Sequence, residues 1–353
     1  MKTLNLGEIK EGNIVLTGGH AATTAMAVLE SINKSERLKK LNIFWIGSKI
    51  AKEGSLDLSL EAKILPKIGV EFIDINAGKL QTKFTKYTIP SLLKFPIGFV
   101  QAFFILLKLK PLLTLSFGGY ASFPVVFWAW IFRIPTILHE QTVAAGRASL
   151  ASIPFVSKIT LARKESLQFF PVKKSVVIGN PIRQAILKVK TKTKIGDPPT
   201  LLIMGGSRGS EFINELVGSF SKKFVKKYKI FHLAGGRKNV EPHEMAKIYR
   251  QADIILSRSG ANTVSEILIV KRPTILIPLP RTFMNEQGKN AKYAKDFGIA
   301  KVITEIKATP QRIEMEIEEM RTNWQKIVNV VKRKISPDLG ATEKLVDLLE
   351  SYL

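Results

Sequence analysis

The chain has 353 residues, 45% of them hydrophobic, with 24 Gly and 17 Pro, which suits two ordinary α/β domains. It contains no cysteine, so disulfides, thiolate catalysis and Cys-ligated zinc are excluded. Its 54 Lys+Arg against 29 Asp+Glu leave a net charge of +25, which favours anionic partners.

In chain order, Met1 to Gly12 is mixed in charge and lacks the apolar core of a signal peptide. The apolar run 13–17 ends in Thr17-Gly18-Gly19-His20 and an Ala-rich helix follows to Glu30, the first βα unit of a doubly wound sheet. Strands are predicted at 41–46 and 70–75. No acidic residue occurs between Asp74 and Glu140, and region 84–109 is helix-forming. Lys79, Lys83, Lys86, Lys94, Lys108 and Lys110 alternate there with Phe84, Tyr87, Phe95, Phe99, Phe103 and Phe104. No nucleic-acid-binding motif accompanies them, so region 79–110 reads as a face for an anionic membrane surface, with a core helix edged by solvated lysines as the plainer account. The uncharged run 111–132 is broken by Gly118, Gly119 and Pro124. It parses as strand 112–117, a glycine turn and a Trp-rich helix, not as a span of about 20 apolar residues.

Strands at 135–138 and 175–178 complete the first half, and Lys- and Thr-rich 188–199 is the candidate linker. The pattern then restarts with strand 200–204, the loop Gly205-Gly206-Ser207-Arg208-Gly209-Ser210 and a helix, then strands at 230–233, 254–256 and 274–278. Two αβ halves, each with a glycine turn after its first strand, predict parallel sheets and a ligand cleft at the strand C-terminal ends. The tail from Pro310 is helical by its spacing, and its last amphipathic segment is expected to pack back on one domain.

The most informative stretch follows strand 254–256: Ser257-Arg258-Ser259-Gly260-Ala261-Asn262-Thr263-Val264-Ser265-Glu266. A tight turn into a helix exposes unpaired N–H groups at the positive dipole end and suits a phosphate, with Glu266 one turn in for a ribose diol. A capped turn with Glu266 in a capping box fits the stretch equally well. The Gly205 loop lacks the Lys-Ser/Thr ending of a P-loop. None of the four histidines pairs at metal-ligand spacing, so neither a metal nor a cofactor is expected. His20, at the end of the first strand, is placed to act as a base; packing against the turn is its structural alternative.

Further blocks are Ser116-Phe117-Gly118-Gly119-Tyr120-Ala121-Ser122, His139-Glu140-Gln141, Gly179-Asn180-Pro181-Ile182-Arg183, Gln287 and Asn290-Ala291. Taken in order with those above, they span most of the chain and resemble the MurG family of bacterial glycosyltransferases. The resemblance implies a GT-B fold, two Rossmann-like domains facing a cleft, with the last helix returning to the first. It assigns 1–182, with 338–353 packing back, to acceptor and membrane, and 183–337 to the nucleotide-sugar donor. It implies inverting, metal-free transfer of N-acetylglucosamine from UDP-GlcNAc to undecaprenyl-diphospho-N-acetylmuramoyl-pentapeptide, on the cytoplasmic face of the membrane as a peripheral protein, with no nucleic-acid partner. By position, Thr17, Gly18 and Gly19 would line diphosphate and sugar, and His20 would be the base or an acceptor-positioning group. Arg183 would contact the donor at the hinge and Ser207 its phosphate. Ala261, Asn262, Thr263, Val264, Ser265 and Glu266 would supply the phosphate and ribose site, and Gln287 and Asn290 would read sugar hydroxyls.

The chain departs from the family at several positions. Val15 and Leu16 stand where two glycines are usual, Thr142 where Asn is usual, Ala145 for Pro and Arg208 for Gln. Segment 236–245, which should read the uracil, is short, and Pro242 near that contact has no N–H to offer. Another lipid acceptor, another donor, or a silent scaffold for lipid-linked precursors are the alternative readings.

Overall fold

The computed structural model describes residues 12–51, 57–78, 88–206, 209–235 and 242–353. The chain divides into two compact units, one of Met1–Glu140, Ala145–Pro181 and Thr342–Leu353, the other of Gln141–Ala144 and Ile182–Ala341.

The first unit is a seven-stranded parallel sheet of β1 (Asn13–Thr17), β2 (Asn42–Gly47), β3 (Glu71–Asp74), β4 (Leu113–Ser116), β5 (Thr136–Glu140), β6 (Lys158–Leu161) and β7 (Ser175–Val177), in the order β3-β2-β1-β4-β5-β6-β7. Strand side chains alternate between faces, and here both faces are covered. Ile14 and Leu16 pack on one face with Ala25, Val28 and Ile32 of helix Ala22–Ile32. Val15 and Ile46 pack on the other with Ala102 and Leu106 of helix Thr88–Leu109 and with Val125 and Ala129 of helix Ser122–Ile131. Leu345, Val346 and Leu349 of helix Ala341–Glu350 join the first of these cores. Each such burial is worth about 1.5–3 kcal/mol, and that is what draws the C-terminal helix back onto the first unit.

The second unit is a five-stranded parallel sheet of β8 (Thr200–Met204), β9 (Lys229–Leu233), β10 (Ile254–Ser257), β11 (Thr274–Leu276) and β12 (Ala300–Val302), in the order β12-β11-β10-β8-β9. β8 and β10 are buried at every position, as continuous apolar runs with helices on both faces should be. In each sheet the winding reverses at one place, between β1 and β4 and between β8 and β10. Ligands of doubly wound sheets bind at such a reversal, beyond the strand C-terminal ends. There the first sheet carries Gly18-Gly19-His20 and Gly118-Gly119-Tyr120, and the second Gly205-Gly206 and Arg258-Ser259-Gly260.

Most strands fall within one or two residues of expectation, and the exceptions have local causes. β6 and β12 are only four and three residues long and carry too little pattern to be read; pairing with β5 and β11 makes them strands. β5 runs two residues further than expected, so His139 and Glu140 lie inside the sheet. The basic-aromatic helix spans Thr88–Leu109; Lys79, Lys83, Phe84, Lys86 and Tyr87 lie outside the described residues. Segment 188–199 is not a free linker, because Lys192 Nζ reaches Asp253 Oδ1 at 2.6 Å and the Gly196 N–H donates to the same oxygen. No helix among the described residues is long and apolar enough to cross a membrane.

Candidate functional site

The second unit's reversal is built on β10. Strand residues Ile254, Ile255 and Leu256 are fully buried, and Gly260 is the N-cap of helix Ala261–Val270. The N-cap residue, a glycine, has no side chain to cap this helix, and no acid stands in its first turn. Ala261, Asn262 and Thr263 are half-buried at the helix mouth. Val264 packs in the apolar core and Ser265 is fully buried, so their side chains serve the fold, and only the first three residues present a surface to a ligand.

Glu266 is held from two sides. Arg183 Nη2 donates to Glu266 Oε1 at 3.1 Å and Tyr249 Oη donates to Oε2 at 2.9 Å. All three residues are buried. Burial first, and the Glu266 charge second, push the Tyr249 hydroxyl well above its ordinary range, so Tyr249 is a donor at any working pH. The Glu266 carboxylate is therefore fixed in orientation, and each oxygen keeps a lone pair for a further donor. A capping box is ruled out, since the carboxylate turns away from the N-cap toward Arg183.

A ring of contacts fixes the turn itself. Arg258 reaches Glu305 with Nη2, the Ile277 and Pro278 carbonyls with Nη1, and Ser210 Oγ with Nε at 3.1 Å. It is a clamp between turns, with its donors occupied by protein. Ser259 Oγ donates to the Gln287 carbonyl at 2.8 Å, and Asn290 Nδ2 donates to the Ser259 carbonyl at 3.2 Å. Asn290 is 2% exposed and accepts the Val143 N–H with its other amide atom. It ties helix Glu286–Phe297 to the turn, with one bond on each of its amide atoms. Gln287 accepts the Leu279 N–H with Oε1 at 2.9 Å, and its NH2 is not used by that bond. Gly205 is required, because a Cβ there would stand 2.3 Å from the Ser210 N. Ser207 lies outside the described residues, and Pro242 opens a short 3₁₀ turn ahead of the helix Met245–Gln251 that carries Tyr249. Thr142 is half-buried in the segment Gln141–Ala144 that groups with the second unit.

In the first unit, the two glycine turns abut. The Gly19 N–H donates to the Gly118 carbonyl at 3.1 Å, and a Cβ on Gly119, at φ +89°, would meet Gly19 N at 2.7 Å. Gly18 is buried and Gly19 half-buried. The Thr17 hydroxyl, fully buried, donates its proton to the Ile46 carbonyl at 2.8 Å. His20 is exposed and adopts φ +63°, a left-handed conformation that non-glycine residues adopt only at a cost. It lines a small depression with Gly19, Trp45, Glu61 and Tyr120. Glu61, 4% exposed, accepts the Ala21 N–H at the start of helix Ala22–Ile32 at 2.8 Å. Sequence reasoning missed Tyr249 and Glu61, since both meet their partners through the tertiary fold and no local motif marks either.

The glycosyltransferase family 28 N-terminal domain matches residues 17–161 and the family 28 C-terminal domain matches 200–347. The chain belongs to glycosyltransferase family 28. It is 33% identical to the UDP-N-acetylglucosamine–N-acetylmuramyl-(pentapeptide) pyrophosphoryl-undecaprenol N-acetylglucosamine transferase of Clostridium kluyveri, over 96% of this chain and 99% of that protein. The Legionella pneumophila (strain Paris) enzyme of the same name is 29% identical over 96% of each. Among solved structures, Acinetobacter baumannii MurG superposes with a TM-score of 0.68 at 21% identity, covering 96% of this chain and 99% of that one. The glycosyltransferase of kitacinnamycin gives 0.67 at 13%, covering 97% and 99%. The two parallel sheets and the returning C-terminal helix are those of the GT-B class. Within this family 28 enzyme the two matched domains each carry one winding reversal.

Proposed function

We propose that this family 28 glycosyltransferase moves N-acetylglucosamine from UDP-GlcNAc to undecaprenyl-diphospho-N-acetylmuramoyl-pentapeptide. The observation that carries this reading is the uncapped helix end at Gly260–Ala261 beside a carboxylate fixed by Arg183 and Tyr249. The N–H groups at Ala261, Asn262 and Thr263 face the donor diphosphate and stabilise the charge that grows on UDP as it leaves, a preorganised electrostatic effect. Glu266 accepts the ribose hydroxyls, and the Gln287 NH2 donates to the sugar. An acceptor hydroxyl attacks the anomeric carbon with inversion, the bond to UDP breaks, and His20 takes the hydroxyl proton. The segments 1–182 and 338–353 serve the acceptor, and 183–337 the donor.

The acceptor is a lipid, and one face of the first unit suits a membrane. Ile97, Val100, Phe104 and Leu107 recur at helical spacing along Thr88–Leu109, and their exposure reaches 61% at Phe104. Lys94, Lys108 and Lys110 flank them. Behind the stripe Phe99 packs on Phe127 at 5.6 Å and Phe103 on Trp128 at 4.8 Å, so the platform is rigid. Such a stripe with cations beside it matches a peripheral docking face on an anionic cytoplasmic leaflet.

Transfer of radiolabel from UDP-GlcNAc to a lipid-linked muramoyl-pentapeptide analogue is the direct test; no transfer by folded protein would overturn the reading. For the membrane face, sedimentation with phosphatidylglycerol vesicles should be salt-sensitive and fall sharply in Phe104→Asp. Equal sedimentation of that variant would remove the docking role.

A further inference from the structure

A second cationic feature lies at the opposite edge of the second sheet from the glycine turns. A pocket of about 530 Å³ is lined by Lys188, Lys190, Lys192, Lys194, Arg250 and Arg272, with no acidic residue among the described residues that line it. Its walls flank the N-terminal ends of β8, β10 and β11, while Gly205 and Arg258 follow the C-terminal ends of β8 and β10. A four-residue strand such as β10 separates the two edges by about 13 Å.

Six cations converge here with little to offset them. Lys192 is paired with Asp253, which also accepts the Gly196 and Thr200 N–H groups and is thereby fully used. Arg272, 1% exposed, has its guanidinium fixed by the Ala252, Val270 and Lys190 carbonyls; the charge of Asp253 acts on it, but it makes no ion pair among the described residues. Burial pulls it down to about 10, so a fixed positive group forms the floor at a desolvation cost. Lys188, Lys190, Lys194 and Arg250 are exposed and make no ion pair among the described residues. The segment that presents them is itself held, because the Lys190 carbonyl accepts from Arg272 and Val189 is buried in the core. Like charges held at close range repel unless an anion sits among them, and the pocket volume is in the range of small-molecule sites. We propose that this pocket binds a ligand carrying two or more phosphate groups, at a site separate from the proposed donor site at Gly260–Ala261. Thr191 and Thr193 add hydroxyl donors at its rim. The same chemistry is offered by a soluble oligophosphate and by a phosphorylated lipid headgroup.

Calorimetry of the full chain with tripolyphosphate, in the presence of saturating UDP, tests the site. Binding is expected, weakening as salt is raised, and Lys190→Gln/Lys194→Gln/Arg250→Gln should lose about tenfold or more of it, from three exposed ionic contacts. Lys190→Arg/Lys194→Arg should retain it, and both variants should keep the wild-type thermal transition. No binding by wild type, equal binding by the triple variant, or binding abolished by UDP would overturn the proposal. Vesicles of phosphatidic acid in phosphatidylcholine separate the two sources. Vesicle capture that tripolyphosphate competes away and that the triple variant lacks assigns a lipid headgroup; tripolyphosphate binding without such capture assigns a soluble anion.

Discussion

The two units reuse one device, a glycine turn that opens a helix after a strand, and they finish it differently. In the first, the N–H at Ala21 is answered by the protein's own Glu61 at 2.8 Å. In the second, the helix from Ala261 starts at Gly260, which has no side chain to cap it, and the Glu266 carboxylate is held by Arg183 and Tyr249. A helix end already satisfied by a carboxylate offers less to an added anion than one whose N-cap is a glycine, which is why the proposed phosphate site is the second. The difference teaches that one local device, the glycine turn, can meet a distant carboxylate in one unit and leave it paired elsewhere in the other.

The largest effect that would break this comparison is expected for Glu266→Ala. It strands the Arg183 guanidinium in a buried position, a change that typically costs about 3–5 kcal/mol. UDP-GlcNAc affinity by calorimetry should fall at least about tenfold, one charge-assisted contact being worth about 1.5–3 kcal/mol. Unchanged affinity would remove the ribose role.

Tyr249→Phe comes next. It deletes one hydrogen bond to a charged acceptor, about 1.5–3 kcal/mol, and leaves the Arg183 pair in place. The KM for UDP-GlcNAc should rise several-fold with kcat little changed; a loss confined to kcat would contradict a positioning role.

Thr17→Val probes the first turn. Its hydroxyl bonds to Ile46, so about 1 kcal/mol of stability should be lost, read as a lower denaturation midpoint, while the KM for either substrate stays the same. A large KM change would mean that the hydroxyl leaves Ile46 to meet a ligand. The smallest effect is expected from Glu61→Gln, which keeps an acceptor for Ala21 while removing the charge. Stability should shift by under about 1 kcal/mol, the range of helix-dipole contributions. A cost well beyond that would show that Glu61 does more than answer the helix end.

Much of this was legible in the linear chain. Apolar runs closed by glycine turns set the alternation of strand and helix, and Gly18, Gly19, Gly205 and Gly260 marked the strand ends where the sheets reverse. The stretch from Ala261 to Glu266 could be singled out but not decided, because a capping box and a phosphate site share the same local residues. Thr17, Val264 and Asn290 looked equally available in the sequence, yet all three are buried, and Thr17 and Asn290 also bond to backbone groups.

By itself, then, the sequence determined the periodic features and the composition: fold class, glycine turns and a cation excess that favours anionic partners. Only the tertiary structure decided which polar groups are spent and which are free. The bonds that settle it join Ala21 to Glu61, Arg183 to Glu266 and Arg272 to Lys190, across 40, 83 and 82 residues. Hydrogen bonds and ion pairs of that reach leave no local pattern, because they depend on which strand ends the fold brings together.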